Sequence, residues 1–222
     1  MCKNNGKRVG QPTLAMLSFG IWLGPHTVKP LRITFQFDPE KAVQAMAYLL
    51  SQLNGTTEKV KLMKLLFLAD KKHFLDCGYP ITGDVQYALP KGPVPTNSLN
   101  LLNFEYHRDW DDPVLEAMSM EGHSVALKAS PGTARLTASE IATLNSVVKE
   151  HGNKHRWKLV EETHQLPEYK DVYVERSSRP IPYELILRHH GGNDRFRHNR
   201  PVIGQDTIAH MLCPFDSSDA DL

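Results

Sequence analysis

Thr57-Glu-Lys-Val-Lys61-Leu-Met-Lys64-Leu-Leu-Phe-Leu-Ala-Asp70-Lys-Lys-His73-Phe-Leu-Asp76-Cys-Gly78 is the stretch on which the fold turns. It holds no proline and no internal glycine, and its apolar residues recur at helical spacing, so it predicts a helix from Glu58 to about Asp76. Thr57 is placed to cap the start and Gly78 to close the end. Plotted at about 100° per residue, Lys61, Lys64, Leu68, Lys71, Lys72 and Leu75 share one arc, which is expected to face solvent. The rest of the circumference is apolar: Val60, Leu62, Met63, Leu66, Phe67, Ala69 and Phe74. Asp70 and His73 intrude on that apolar arc, three residues apart and so neighbours on the helix surface.

Upstream, Ile33–Phe37 alternates like a short strand. Asp38 then caps a helix opened by Pro39, whose missing N–H is no loss in a first turn. Val43, Met46, Leu50 and Leu53 carry that helix to Asn54-Gly55. Downstream, residues 78–95 are rich in glycine and proline and exclude a helix, with a short strand over Val85–Leu89. Thr96 opens a helix expected to reach Tyr106. Leu115–Met120 and Val125–Ala129 flank Glu121-Gly122-His123 as a β-hairpin. Thr137 and Glu140 form a capping box ahead of Ile141, Leu144, Val147 and Val148, and Gly152 ends that helix. Shorter helices are expected over His155–Thr163 and Pro182–His190. The fold class is therefore mainly α (α+β): a compact helical domain with a short hairpin and an irregular Gly/Pro-rich loop. The expected organisation is an N-terminal extension over 1–32, a central domain over 33–175, and a C-terminal helix with an acidic tail over 176–222.

Composition limits the function classes. The 222 residues are 41% hydrophobic and 23% charged, as in an ordinary globular protein. A formal charge of +1 excludes a strongly basic nucleic-acid coat. Residues 1–37 carry Lys3, Lys7, Arg8, Lys29 and Arg32 and no acid, and Leu14–Leu23 is apolar. That run is far shorter than the ~20 residues of a membrane-crossing helix. The segment reads as a dispensable or upstream-misassigned extension, with an export signal or a docking tail as rival readings. Cys2, Cys77 and Cys213 are odd in number and widely spaced, which offers neither a disulfide framework nor a zinc knuckle. Cys77, after an apolar helix, reads as a packing residue.

Motifs for a serine-hydrolase elbow, a phosphate-binding loop, a dinucleotide fold or a helical zinc site are missing. Glu161-Glu162 and Asp111-Asp112 are adjacent pairs whose side chains diverge. His189, His190, His198 and His210 lack the ordered spacing of a metal site, and neither metal nor cofactor is expected. Asp70 beside His73 fits either a general base with its orienter or two buried helix residues bonded to loop backbone; the second reading is preferred. The arginines at 176, 179, 188, 195, 197 and 200 would suit an anionic partner such as RNA, but aromatic residues are sparse there and an acidic tail follows.

Together, Lys61 to His73, Gly78-Tyr-Pro-Ile-Thr-Gly83-Asp, and Tyr87-Ala-Leu-Pro-Lys-Gly92-Pro93-Val94-Pro95 resemble the Panacea domain of SocA-like antitoxins. Leu159-Val-Glu-Glu-Thr-His164-Gln-Leu-Pro-Glu-Tyr169 is similar to that family's second motif. Tyr169, where tryptophan is commoner, and Lys91, where an aromatic is usual, depart from the pattern. The resemblance spans about 38–172. It implies a mostly helical, non-enzymatic, cytoplasmic protein, often phage-associated. Its partner would be a cognate protein toxin, neutralised by direct binding or by an adaptor role that adds a cellular protease as partner. The motif residues Lys64, Asp70, His73, Gly78, Gly83, Tyr87, Gly92, Pro93, Val94, Pro95, His164 and Tyr169 would then be scaffold or toxin-binding residues. The alternatives are a nucleic-acid-binding accessory protein of a mobile element and, less favoured, a metal-dependent enzyme built on Asp70, His73 and His164. No membrane association is expected, and the 107–130 insertion, with Met118 and Met120, is offered as contact surface.

Overall fold

A computed structural model describes residues 33–105 and 111–191. The 1–32 extension, Tyr106, the arginines at 195, 197 and 200, His198, His210 and the acidic tail all lie outside the described residues, as do the side chains of Asp111 and Asp112.

The chain is mainly α with small antiparallel sheets, the class read from its sequence. α1 (Pro39–Gln52) starts as its sequence dictates, with Asp38 Oδ1 accepting from the Lys41 N–H at 2.9 Å and proline in the first turn. α2 (Lys59–Cys77) ends on Gly78 at φ +91°, a left-handed conformation that side chains other than glycine resist. Its start differs from expectation: Thr57 lies in β1 (Thr56–Glu58), and the N-cap is Glu58, without a side-chain cap bond. The β1 edge pairs with the later hairpin, and this long-range pairing overrides the local capping preference.

The Gly/Pro-rich stretch is more ordered than its composition suggests. β2 (Gln86–Leu89) and β3 (Gly92–Pro95) form an antiparallel hairpin, with Tyr87 opposite Val94 and Ala88 opposite Pro93. β3 tolerates two prolines because it is the edge of a sheet ordered β3-β2-β6, with β6 at Arg179–Pro180. α3 (Thr96–Leu102) stops short of Tyr106, and Phe104 follows it at φ +58°. α4 (Asp111–Ala117) takes Leu115 from the expected strand, leaving a shorter hairpin of β4 (Met118–Glu121) and β5 (Ser124–Leu127). That hairpin joins β1 in the order β1-β5-β4. Met118 is buried beneath it, in the core rather than on a contact surface. α5 (Ala138–His151) has both arms of its capping box, and α6 (Arg156–His164), α7 (Pro167–Val172) and α8 (Tyr183–His190) complete the chain.

Two apolar clusters result. The larger gathers α1, α2, α5 and the underside of the β1-β5-β4 sheet; the smaller joins Phe74, Ala88, Tyr169, Ile181, Tyr183 and Ile186. Ile33–Phe37 forms no strand. Phe35 instead meets Phe74 and Tyr183 edge-on at 5.8 and 4.9 Å, the arrangement favoured by aromatic quadrupoles.

The arc of lysines on α2 is the main correction to the helical-wheel reading. Lys64 is 1% exposed and Lys71 is 8% exposed. α2 is the central helix, covered by α1, α5, α6, α8 and β3, so the face that its charges suggested was solvated is roofed by later parts of the chain. Cys77 corrects another expectation: it is disulfide-bonded. Spacing along a chain does not reveal which cysteines meet.

Candidate functional site

Buried polar residues collect on three hubs along α2, and the motif residues on two of them. The first is Asp70, fully buried. Its Oδ1 accepts from the Thr82 N–H at 2.9 Å, and its Oδ2 from the Thr82 hydroxyl at 2.5 Å and the Gln86 amide at 3.2 Å. Burial pushes its pKa up to about 7, with the nearby Asp84 charge adding to the rise and the Thr82 bonds opposing it. Asp84 continues the network across the loop. Its carboxylate accepts from the Asn97 and Ser98 N–H groups at 2.9 and 2.7 Å, and from the Ser98 hydroxyl at 2.7 Å, so it covers the first turn of α3. The Tyr183 hydroxyl donates to the Asp84 carbonyl at 2.9 Å.

His73, although one turn away, does not share Asp70's partners. Its Nδ1 lies 2.8 Å from the Tyr79 carbonyl, and since a carbonyl only accepts, Nδ1 carries the proton. Nε2 then faces the Ser139 hydroxyl at 3.4 Å. Burial lowers the His73 pKa and favours the neutral ring. The Asp–His pair considered as base and orienter is thus two separate ties: Asp70 to the strand-leading loop, His73 to the chain after α2 and to α5. Gly83, between Thr82 and Asp84, sits at φ +69°, which lets both side chains turn inward.

The second hub joins the two motif blocks, far apart in sequence. Lys64 Nζ donates to the Pro93 carbonyl at 2.6 Å. Gly92 is at φ +92°, and a methyl group there would lie 2.9 Å from Thr163 Oγ1, 3.0 Å from Lys64 Nζ and 3.1 Å from the His164 ring. Only a glycine admits this approach of strand to helix. The His164 ring stacks on Tyr169 at 5.0 Å and 4°, and Tyr169 on Tyr173 at 5.0 Å and 16°. The Tyr169 hydroxyl donates to the Leu89 carbonyl at 2.9 Å. Burial lowers Lys64 to about 7 and raises Tyr169 to about 12; burial, with the Lys64 charge second, also lowers His164. Pro93, Val94 and Pro95 are buried along β3, and Tyr87 is half-buried on β2.

The third hub lies in no motif residue named from sequence. Lys71 Nζ donates to Glu168 Oε1 at 2.5 Å, and His190 Nε2 meets Glu168 Oε2 at 2.9 Å, so α2, α7 and α8 share one buried carboxylate. His189 pairs with Asp171 at 2.7 Å. Thr82, Asp84, Gln86, Thr163, Lys71 and Glu168 were all missed as site residues. Only Glu168 carried a local signal, following a proline as the first-turn carboxylate of a short helix.

With this geometry in view, the comparisons with known proteins can be read. Residues 62–170 match the family model of the antitoxin SocA-like Panacea domain. Over those residues the chain is similar to a Panacea domain. Both blocks of the motif and the contacts between them fall inside the matched residues. No curated protein and no solved structure matches the chain. Within the matched residues Lys64, Asp70 and His73 are buried and bonded to backbone or loop side chains, while the buried Nε2 of His164 has no partner among the described residues. Among the described residues, no cluster of three or more metal-ligating side chains is present, and no helix is long and apolar enough to cross a membrane.

Proposed function

We propose that this protein is an antitoxin that neutralises a cognate protein toxin by forming a stoichiometric complex with it, without turnover and in the cytoplasm. The observation that carries the reading is the Panacea-domain match over 62–170. The chemistry of the site supports it. Asp70, His73 and Lys64 each spend polar atoms on loop or strand backbone, the work of a scaffold that holds a binding surface. The surface itself offers anchors: Trp157 is 50% exposed at the start of α6, with the Arg156 guanidinium 5.3 Å from its ring centre. Tryptophan and arginine are the residues most often found at the energetic centres of protein interfaces. The Cys77 disulfide would be reduced by the thiol pool of that compartment, and α2 is closed there independently by Gly78.

Co-expression tests the reading. Growth rescue from a toxic product of a neighbouring gene, with co-purification at one to one, is the expected result. Rescue that vanishes in a protease-deficient host would replace occlusion with an adaptor mechanism. Failure to rescue from any neighbouring product would remove the antitoxin reading.

A further inference from the structure

A cleft between α1, α4 and the loop after β5 lies away from all three hubs. Its α1 wall presents Glu40, Val43 and Gln44, and its α4 wall Pro113, Glu116 and Ala117. Each trio falls at i, i+3 and i+4, so each is one face of its helix. Pro131 closes the third side.

The polar groups in this cleft are unevenly committed. Gln44 is 4% exposed, and its Oε1 accepts from the Arg135 N–H at 2.8 Å. That bond fixes the amide's orientation and leaves the Nε2 donor without a partner among the described residues, on the lining of the cleft. Glu116 is exposed and has no partner among the described residues. Glu40 sees only the Arg135 Nε at 3.6 Å, because that guanidinium is held by Asp38 at 2.6 Å. Among the described residues, Lys41 is paired with Glu140 at 3.1 Å, and Lys128 donates to the Leu115 carbonyl at 2.6 Å. The cleft therefore offers the Glu116 carboxylate, the Glu40 carboxylate in long contact with Arg135, the amide donor of a buried glutamine, and short aliphatic walls.

We propose that this cleft seats a lysine or arginine residue on an extended segment of the protein toxin. The cation lies between Glu40 and Glu116, its aliphatic stem against Val43, Ala117 and the two prolines, and its backbone carbonyl accepts from Gln44 Nε2. The proposal rests on the toxin-binding reading for the identity of its partner, while the chemistry of the seat can be tested apart from it.

Two measurements on the full chain do so. In the first, acetyl-arginine methylamide is titrated while the Gln44 side-chain amide is followed by NMR. A saturable shift is expected, weakened at least fivefold in Glu116→Lys and missing with the neutral citrulline analogue. In the second, calorimetry with the growth-arresting product of the neighbouring gene should show at least a tenfold weaker Kd for Glu116→Lys. Glu175→Lys, an exposed charge elsewhere, should bind as the unaltered protein does. A Gln44 amide that ignores the arginine probe, or a toxin Kd unchanged in Glu116→Lys, overturns the proposal. A Gln44 response with no neighbouring protein that binds would refute the toxin as occupant and the antitoxin reading with it, and leave only a cation seat.

Discussion

Replacing Asp70 with asparagine turns a pH-dependent hub into a pH-independent one. The folded protein holds the Asp70 pKa at about 7, against 3.8 for an ordinary aspartate. Between those values the native state keeps a proton that the unfolded chain has released. Its contribution to stability is therefore complete below the unfolded pKa and is lost as the pH rises through the folded one. At about 1.36 kcal/mol per unit the whole window is on the order of 4 kcal/mol, of which roughly 2–3 kcal/mol falls between pH 5 and pH 8. Asparagine keeps the shape and does not titrate. Its oxygen can still accept from the Thr82 N–H. Its amide nitrogen, in the place of Oδ2, would face the Thr82 hydroxyl, whose oxygen can accept, and the Gln86 Nε2, so the Gln86 amide must turn to present Oε1 instead. Urea unfolding followed by far-UV circular dichroism at pH 5, 6, 7 and 8 measures the effect, and subtracting the two profiles removes the other titrating groups. Asp70→Asn should lie within about 1 kcal/mol of the unaltered protein at pH 5 and exceed its stability by about 2 kcal/mol at pH 8. Parallel profiles would refute the reasoning, since they would mean that the native hub compensates the charge fully.

Gly92→Ala combines a forbidden backbone angle with a contact of 2.9 Å to Thr163 Oγ1, and should cost about 2–4 kcal/mol in the same unfolding assay. Lys71→Ala leaves the buried Glu168 carboxylate with His190 as its remaining side-chain partner and should cost about 2–4 kcal/mol, with Glu168→Gln in the same chain recovering part of the loss; no recovery would show that packing, not charge, was removed. Thr137→Ala breaks the capping box of α5 and should lower stability by about 1–2 kcal/mol, read as a lower Tm by calorimetry.

Local chemistry carried much of this fold. Asp38 with Pro39, Thr137 with Glu140, and Gly78 each mark a helix end through atoms only a few residues apart, so their sequence pattern is sufficient to place them. The same holds for the β4–β5 hairpin, where a glycine-containing turn separates two short β-prone runs. Asp70 and His73 were legible as polar intruders because a carboxylate and an imidazole in an apolar arc must find partners. Which partners they find was not legible, since Thr82, Tyr79 and Ser139 reach them only after the loop and α5 have packed. The lysines show the limit most clearly. A helical wheel assumes that charge faces water, yet Lys64 and Lys71 are covered because β3, α6 and α7 supply a carbonyl and a carboxylate from residues 93 and 168. The open Gln44 donor and the unpaired Glu116 likewise emerge only when α1 and α4 come together. Sequence by itself determined where α1 and α5 begin and where α2 ends, because capping and periodicity act within one or two turns. Tertiary structure alone decided which charges are buried and which stay free to bind, because desolvation depends on what the rest of the chain lays over them.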